Sequence, residues 1–193
     1  MSVKSPIREK EGIYFITFTC CQWLPLIQQT NSYDAVYKWF DYLKSKGHYI
    51  TGYVIMQNHL HVLIAFRRSG KNIATIISNG KRFIAYEIVK RLQKRGATAI
   101  LKKLSEAVTT SDRKRGKLHQ VFEPSFDWKE CRTNSFIKQK LDYMHDNPCK
   151  GVWNLAITAA DYPHSSAKYY QTGEQGVYEI TGYTFLEDVD LTK

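Results

Sequence analysis

Two histidines separated by one residue are the sharpest chemical feature of this 193-residue sequence. His59 and His61 flank Leu60 in the segment HLHVLIAF, whose composition is typical of a β-strand. Because alternate residues of a strand face the same side of a sheet, we expect the two imidazoles to lie together. Neutral imidazole is a common ligand of divalent metals, so the pair is a candidate metal site. The pattern also fits two half-buried histidines that are satisfied by their neighbours.

A second candidate lies near the end of a predicted helix, in the segment LDYMHDNP. Tyr143 and Asn147 are four residues apart, which places them on one helix face. A tyrosine hydroxyl, with an unperturbed pKa of about 10, is a poor nucleophile at neutral pH unless a nearby metal or cation lowers that pKa. The sequence has 13 tyrosines, most of which must be structural, so this pattern alone leaves a packing role open.

Hydrophobic periodicity predicts the elements that must position these residues. Strands are predicted at 13–21, 48–57 and 59–66, the last two forming a hairpin because only the Gln57-Asn58 corner separates them. The apolar run that follows His61 favours a position in the middle of the sheet. One or two further strands are predicted within 118–131.

The predicted helices alternate with these strands. The first follows a cap at Asn31 and ends at Gly47, and the second starts at Lys71, with its apolar stripe interrupted at Asn79-Gly80. A short helix over 97–107 precedes a charged loop over 111–117, and a final helix runs from a cap at Thr133 or Asn134 to Asn147-Pro148. This order indicates one α+β domain with an antiparallel sheet and helices on one face.

Composition excludes several protein classes. A hydrophobic content of 43% with 13% aromatic residues is typical of a folded globular protein, not of a disordered basic tail. The longest apolar runs are far shorter than the roughly 20 residues of a membrane helix, so no membrane partner is expected. Four cysteines, two of them adjacent, do not make a disulfide scaffold, and we expect no signal peptide and a reducing, cytoplasmic location.

The net charge of +10 is concentrated in one region. Residues 67–117 hold 15 basic and three acidic residues, a net of +12, whereas the rest of the chain has a net of −2. A localised positive field of this kind indicates a polyanionic partner such as nucleic acid. A solvated helical face would have the same composition.

The motifs taken together resemble a known family. MQNHLHVL, followed about 80 residues later by YMHDNP, resembles the HUH-type single-tyrosine transposases of the IS200-like family, particularly the REP-associated branch. Weaker similarities are GIYFITFTC before these motifs, FEPSFDWKECR between them and DYPHSSAKYY after them. The resemblance covers roughly residues 10–170 and implies a ferredoxin-like antiparallel sheet with helices packed on it. It also implies a catalytic domain over 1–170, with 171–193 as a peripheral acidic tail.

The resemblance implies a role for each motif residue. His59, His61 and Asn147 match metal ligands for Mg²⁺ or Mn²⁺, and Tyr143 matches the nucleophile. His145 belongs to the motif, but at two residues from Tyr143 it should point away. We expect basic residues of the region 67–117 to contact the DNA backbone. Those from Arg67 to Arg82 are expected near the site, and those from Arg113 onward are expected to reach further along the DNA. The predicted contacts are Arg67, Arg68, Lys71, Lys81, Arg82, Arg113, Lys114 and Arg115.

The implied function is metal-dependent cleavage and strand transfer of single-stranded DNA through a 5′-phosphotyrosine, on hairpin or palindromic DNA, by a monomer or homodimer. Alternatives are another HUH endonuclease, such as a replication initiator or relaxase, or a domesticated DNA-binding protein without turnover. A third is a ferredoxin-like RNA-binding module in which Tyr14 and Phe18 stack on bases from one face of the first strand.

Overall fold

The computed structural model describes residue 7 and residues 10–151 and 153–192. Residues 1–6, 8 and 9, which the predicted domain includes, lie outside the described residues. The strands are β1 (Gly12–Thr19), β2 (Tyr49–Ile55), β3 (His59–Phe66) and β4 (Asp127–Glu130). They form one sheet in the order β2-β3-β1-β4, with every neighbouring pair antiparallel.

Helices of very different length surround this sheet. They are α1 (Leu26–Thr30), α2 (Tyr33–Ser45), α3 (Ile73–Lys94), α4 (Thr98–Glu106), α5 (Thr110–Lys114), α6 (Asn134–Asp146) and α7 (Ala167–Thr172). The predicted α+β class, the antiparallel sheet and the β2–β3 hairpin are confirmed. Strand β3 has a neighbour on each side, as its apolar run predicts, and all eight of its residues are buried because helices cover both faces of the sheet.

Three predicted elements differ in detail. Helix α3 continues through Asn79-Gly80. A Cβ at Gly80 would lie 2.3 Å from the Trp39 ring of α2. Glycine at this position permits the close contact of two helices instead of interrupting one. The charged loop predicted over 111–117 contains α5. In 118–131 the structure has only the short strand β4 and a single bridge between Cys20 and Phe122.

The helices cover both faces of the sheet, so the prediction of helices on one face is wrong. One hydrophobic cluster joins α2 and α3 to the face of β1 and β3 that carries Tyr14, Phe18 and Val62. A second cluster joins α6 to the opposite face, which carries Phe15 and Leu63. The helical period of each segment shows that it has an apolar stripe, but not which side of the sheet the stripe covers.

Residues 171–192, the described part of the predicted acidic tail, pack against edge strand β2 and its neighbours. The Thr181 N–H donates to the Ile50 carbonyl at 3.0 Å, and the Tyr178 ring stacks on Tyr37 at a centroid distance of 5.2 Å. The Arg68 N–H donates to the Leu191 carbonyl at 2.9 Å. These contacts place the segment against the body of the fold, and the domain boundary at residue 170 stays a prediction.

None of the described helices combines the length and apolar character that crossing a bilayer requires.

Gly52 in β2 sets how closely α6 approaches the sheet. A Cβ at this position would lie 2.5 Å from Leu141 Cδ2 and 3.0 Å from Met144 Cε. Both side chains belong to α6 and are buried in the cluster beneath that helix. The absence of a side chain at residue 52 is therefore what lets the helix pack directly on the strand.

We expect Gly52→Ala to lower the free energy of unfolding by about 1–3 kcal/mol, because the added methyl overpacks the α6 interface. Urea denaturation of both proteins measures this change. Gly176→Ala is the matched control, since its Cβ would meet nothing closer than a carbonyl oxygen at 3.4 Å. Equal stability of Gly52→Ala and the parent chain would contradict the role assigned to this contact.

Candidate active site

The two histidines lie at the start of β3, on the face of the sheet that α6 covers. His61 is paired with Thr17 of β1 and Val54 of β2, which fixes its position at the centre of the sheet. The two imidazole centroids are 4.8 Å apart, and each residue is only 5% exposed. The alternation of the strand therefore places the pair together, as expected.

A side-chain oxygen holds one nitrogen of each imidazole. His59 Nδ1 lies 2.8 Å from Asn58 Oδ1, and the Asn58 amide nitrogen donates to the Trp23 carbonyl at 3.0 Å. Because Oδ1 can only accept, Nδ1 of His59 is the donor and its Nε2 carries the lone pair. His61 Nδ1 lies 2.6 Å from Thr17 Oγ1, which can accept in the same way.

Burial keeps both imidazoles neutral. It lowers the pKa of His59 to about 4 and that of His61 to about 3. For His61 the positive charge of Lys140, and that of His59 when its imidazole is protonated, lower the pKa further. At neutral pH both rings are therefore in the state that binds a metal ion.

Tyr143 extends from α6 beside the histidine pair. Its ring centroid is 5.4 Å from that of His61, at an interplanar angle of 69°. Phe15 of β1 stacks on His61 at 5.4 Å and meets the Tyr143 ring edge at 6.1 Å. Although it contacts these buried rings, Tyr143 is 54% exposed. The structure thus brings together a reachable phenol and two neutral imidazoles from elements distant in sequence.

Asn147 and His145 take opposite sides of the end of α6. Asn147 caps the helix, and its Nδ2 donates to the Tyr143 carbonyl at 3.0 Å, one turn earlier. His145 is buried, with Nε2 2.8 Å from Ser166 Oγ, and burial lowers its pKa to about 4. His145 therefore points away from Tyr143.

The donor set fits a divalent metal. Two neutral imidazoles with Nδ1 held by oxygen leave Nε2 as the ligand atom, the usual arrangement around a bound ion. Across the described ranges, no group of three or more His, Cys, Asp or Glu side chains could hold a metal. A third protein ligand would then be of another type, and the Asn147 amide oxygen is of that kind.

Lys140, which the sequence analysis did not single out, also lies at this site. Its Nζ is 5.8 Å from the Tyr143 ring centroid, 5.4 Å from that of Phe15 and 4.9 Å from that of Phe136. Its position three residues before Tyr143 on the same helix was the available signal. The site therefore includes a cation with which no carboxylate of the described residues forms an ion pair.

The first basic residues after β3 lie far from the histidines, which corrects their predicted position near the site. Arg67, Arg68 and Lys71 follow the opposite end of β3, and the six residue steps from His61 to Arg67 span about 20 Å of strand. Arg68 also forms a bidentate ion pair with Glu11, at 3.1 and 3.0 Å. The direction in which the strand runs is the reason for the difference.

Lys81 is not a surface residue, contrary to the role predicted for it. It is 9% exposed, and its Nζ donates to the carbonyls of Glu123 and Ser125 at 2.7 and 3.0 Å. Burial lowers the pKa of its ammonium to about 8. Its charge joins α3 to the segment that leads into β4, so it is not available to a phosphate.

Arg82 and Arg115 line a groove of about 750 Å³ between α3 and residues 115–124. The groove lies at the histidine end of the sheet, because Phe122 bridges Cys20, directly after β1. Arg113 donates to the Ser105 carbonyl at 2.6 Å, and Arg115 pairs with Asp112. Lys114 is exposed on α5. These cations thus lie on α3, on α5 and at the residue that follows α5, on the side of the sheet opposite Tyr143.

Tyr14 and Phe18 do not form a base-stacking surface. Each is 1% exposed, and both belong to the core beneath α2 and α3. The RNA-binding alternative that requires these two rings on an open sheet face is therefore wrong, because helices cover that face.

Comparison with known proteins gives a fold relationship. No family model and no curated protein matches the chain. Among solved structures, a REP-associated tyrosine transposase bound to a REP hairpin matches with a TM-score of 0.60 and 17% sequence identity. The match covers 100% of this chain and 94% of that one.

A candidate transposase from Deinococcus radiodurans R1 also matches, with 13% identity over 74% of this chain and 95% of that one. Its TM-score of 0.32 is too low to support a relationship. The first match extends over the whole chain and includes the sheet that carries His59 and His61. The chain therefore has the fold of the REP-associated tyrosine transposase.

Proposed function

We propose that the protein is a metal-dependent endonuclease and strand transferase of single-stranded DNA, a transposase of the REP-associated type, acting on hairpin or palindromic DNA. The observation that carries the proposal is the position of the exposed Tyr143 ring 5.4 Å from the buried, neutral His61. The motif resemblance and the shared fold support the same assignment. The solved relative is bound to a REP hairpin, which supports DNA as the substrate class.

The proposed reaction is a transesterification at phosphorus. The Tyr143 hydroxyl loses its proton to solvent, which its 54% exposure allows, and the phenolate oxygen attacks the scissile phosphate. A bond forms between that oxygen and phosphorus while the bond from phosphorus to the 3′ oxygen breaks. The departing 3′ oxygen takes a proton and leaves as a hydroxyl. The 5′-phosphotyrosine conserves the ester, so another 3′-hydroxyl can reverse the step and join a new strand.

His59 and His61, with Asn147 as the third protein ligand, would hold Mg²⁺ or Mn²⁺. When bound, the ion would neutralise charge on the phosphate and polarise it toward attack. Thr17 and Asn58 orient the imidazoles through Nδ1. Phe15 stacks on His61 and meets Tyr143, so it fixes the distance between ligand and nucleophile.

Lys140 would stabilise the negative charge that develops during attack. Its ammonium lies against the same rings as Tyr143, and the partly buried position strengthens its field. A fixed cation beside the phenolate and the phosphate lowers the free energy of the transition state more than that of the neutral phenol.

Tyr143→Phe should form no covalent DNA adduct yet still bind a single-stranded hairpin oligonucleotide, because it lacks only the nucleophilic oxygen. A denaturing gel of protein incubated with labelled oligonucleotide and Mg²⁺ or Mn²⁺ measures the adduct. Tyr42→Phe is the matched control, since Tyr42 is an exposed tyrosine of α2, away from the histidines and from the basic groove.

Chelation of divalent ions should abolish adduct formation by the parent chain. An undiminished adduct in Tyr143→Phe would exclude Tyr143. Binding without any adduct in the parent chain would favour the DNA-binding alternative that lacks turnover.

Lys140→Gln should slow adduct formation by about tenfold to a hundredfold, because one charge-stabilising group is lost. Lys140→Arg should retain most of the rate. The matched control is Lys138→Gln, since Lys138 is exposed and pairs with Asp142 at 2.7 Å. Single-turnover rates at saturating DNA measure the effect, and equal rates for Lys140→Gln and Lys138→Gln would refute the assignment.

Arg82→Gln should reduce the salt dependence of DNA binding. If Arg82 contacts one phosphate, the slope of log affinity against log salt falls by about 0.7–0.9. Arg68→Gln should change the slope little, because Arg68 pairs with Glu11 at the other end of β3. Affinity titrations over a range of salt concentrations test this, and the opposite ranking of the two variants would contradict the proposed path of the DNA.

A further inference from the structure

Two tryptophans lie beside His59 at the candidate site. The Trp23 ring centroid lies 5.9 Å from that of His59, and the Trp153 centroid lies 5.8 Å from it. Trp23 is 61% exposed, whereas Trp153 is half-buried. Neither was selected by the sequence analysis, since neither belongs to a motif. Their place beside a candidate metal ligand distinguishes them from the exposed aromatic residues elsewhere on the chain.

The backbone that carries Trp23 is held in an unfavourable conformation. Gln22 and Trp23 both have left-handed backbone angles, with φ of 53° and 57°. Residues with a side chain rarely adopt this region, and two in succession persist only where other contacts determine them. An exposed indole gains little from burial, so packing of the ring does not account for the strain.

Three hydrogen bonds fix this turn. The Gln22 N–H donates to Glu123 Oε1 at 2.9 Å, and the Trp23 N–H donates to the Cys20 carbonyl at 3.1 Å. The Trp23 carbonyl accepts from Asn58 Nδ2 at 3.0 Å, and Asn58 Oδ1 accepts from His59. Asn58 therefore couples the position of the Trp23 turn to that of a candidate metal ligand.

We propose that Trp23, together with Trp153, is a stacking site for an unpaired nucleobase next to the phosphate that Tyr143 attacks. The inference rests on the proposed function, since it requires a DNA strand to cross the His59–Tyr143 site. A base lies one sugar away from its phosphate, so a strand held at His59 brings a base to the adjacent indole. Aromatic side chains stack on single-stranded bases with little sequence preference, and a duplex does not offer a free base face.

A stacking site at this position requires an unpaired base, so the DNA must be single-stranded where Tyr143 attacks. An indole fixed before DNA arrives loses little freedom on stacking, which is the advantage of a rigid turn. The basic groove on the other side of the sheet would hold backbone, whereas the tryptophans would hold a base. The two surfaces thus make different demands on the DNA.

The test is carried out in the full chain with Tyr143→Phe, so that binding is measured without cleavage. The probes are a short oligothymidylate and an abasic strand of the same length. Trp23→Ala should weaken oligothymidylate binding by about tenfold and leave binding of the abasic strand unchanged. Trp23→Phe should restore most of the affinity, because it keeps an aromatic face. Phe185→Ala is the control, since Phe185 is exposed on a helical turn near the end of the chain.

Equal weakening for both probes would overturn the proposal, because it would show a structural role for Trp23. No weakening for either probe would overturn it as well. The result is independent of the nucleophile: discrimination between the probes stands even if the parent chain forms no adduct. Conversely, an adduct in the parent chain without discrimination would retain the proposed function and remove the stacking site. Circular dichroism of each variant verifies that it is folded.

Discussion

The distance between α6 and the sheet is the constraint on which the candidate site depends. Helix α6 packs directly on β2 because residue 52 has no side chain, and Leu141 and Met144 occupy the space next to it. Those two residues flank Tyr143 in sequence, so the same contact that buries them fixes the height of the phenol above His61. Interiors packed to this density do not absorb an extra methyl without movement. The catalytic geometry is thus a consequence of hydrophobic packing.

Burial and hydrogen bonding act on different properties of the histidine pair. Removal from water lowers the pKa of both imidazoles and keeps them neutral, while Asn58 fixes the tautomer of His59 and Thr17 occupies Nδ1 of His61. A buried imidazole with an unsatisfied nitrogen would destabilise the folded state, but here each Nδ1 has a hydrogen-bond partner. The free Nε2 atoms are the groups that a divalent ion would satisfy. The two interpretations of these histidines are therefore compatible: Nδ1 of each imidazole takes part in the packing of the fold, and Nε2 is left for a metal ion.

Local patterns predicted the strands and the histidine pair because strand alternation and a short hairpin depend on neighbouring residues alone. Helical spacing also singled out Tyr143 and Asn147, but the link between Tyr143 and the histidine pair came from the motif resemblance, since no local rule places α6 over β3. Lys81 was misassigned because its partners are backbone carbonyls of a segment some 40 residues away, which no side-chain pattern reveals. Trp23 was missed for a similar reason: its role follows from an unusual backbone turn, and nothing in the residue types at 21–23 predicts that turn.

The most direct measurement of the central claim is the position of the DNA attachment. After reaction with a single-stranded oligonucleotide and nuclease trimming, trypsin should release residues 141–150, a peptide with Tyr143 as its one tyrosine. Mass spectrometry should find this peptide heavier by a nucleoside 5′-phosphate, with fragment ions that place the mass on Tyr143. Attachment to any other residue would contradict the account. Cut DNA in a reaction whose peptide 141–150 carries no added mass would contradict it as well.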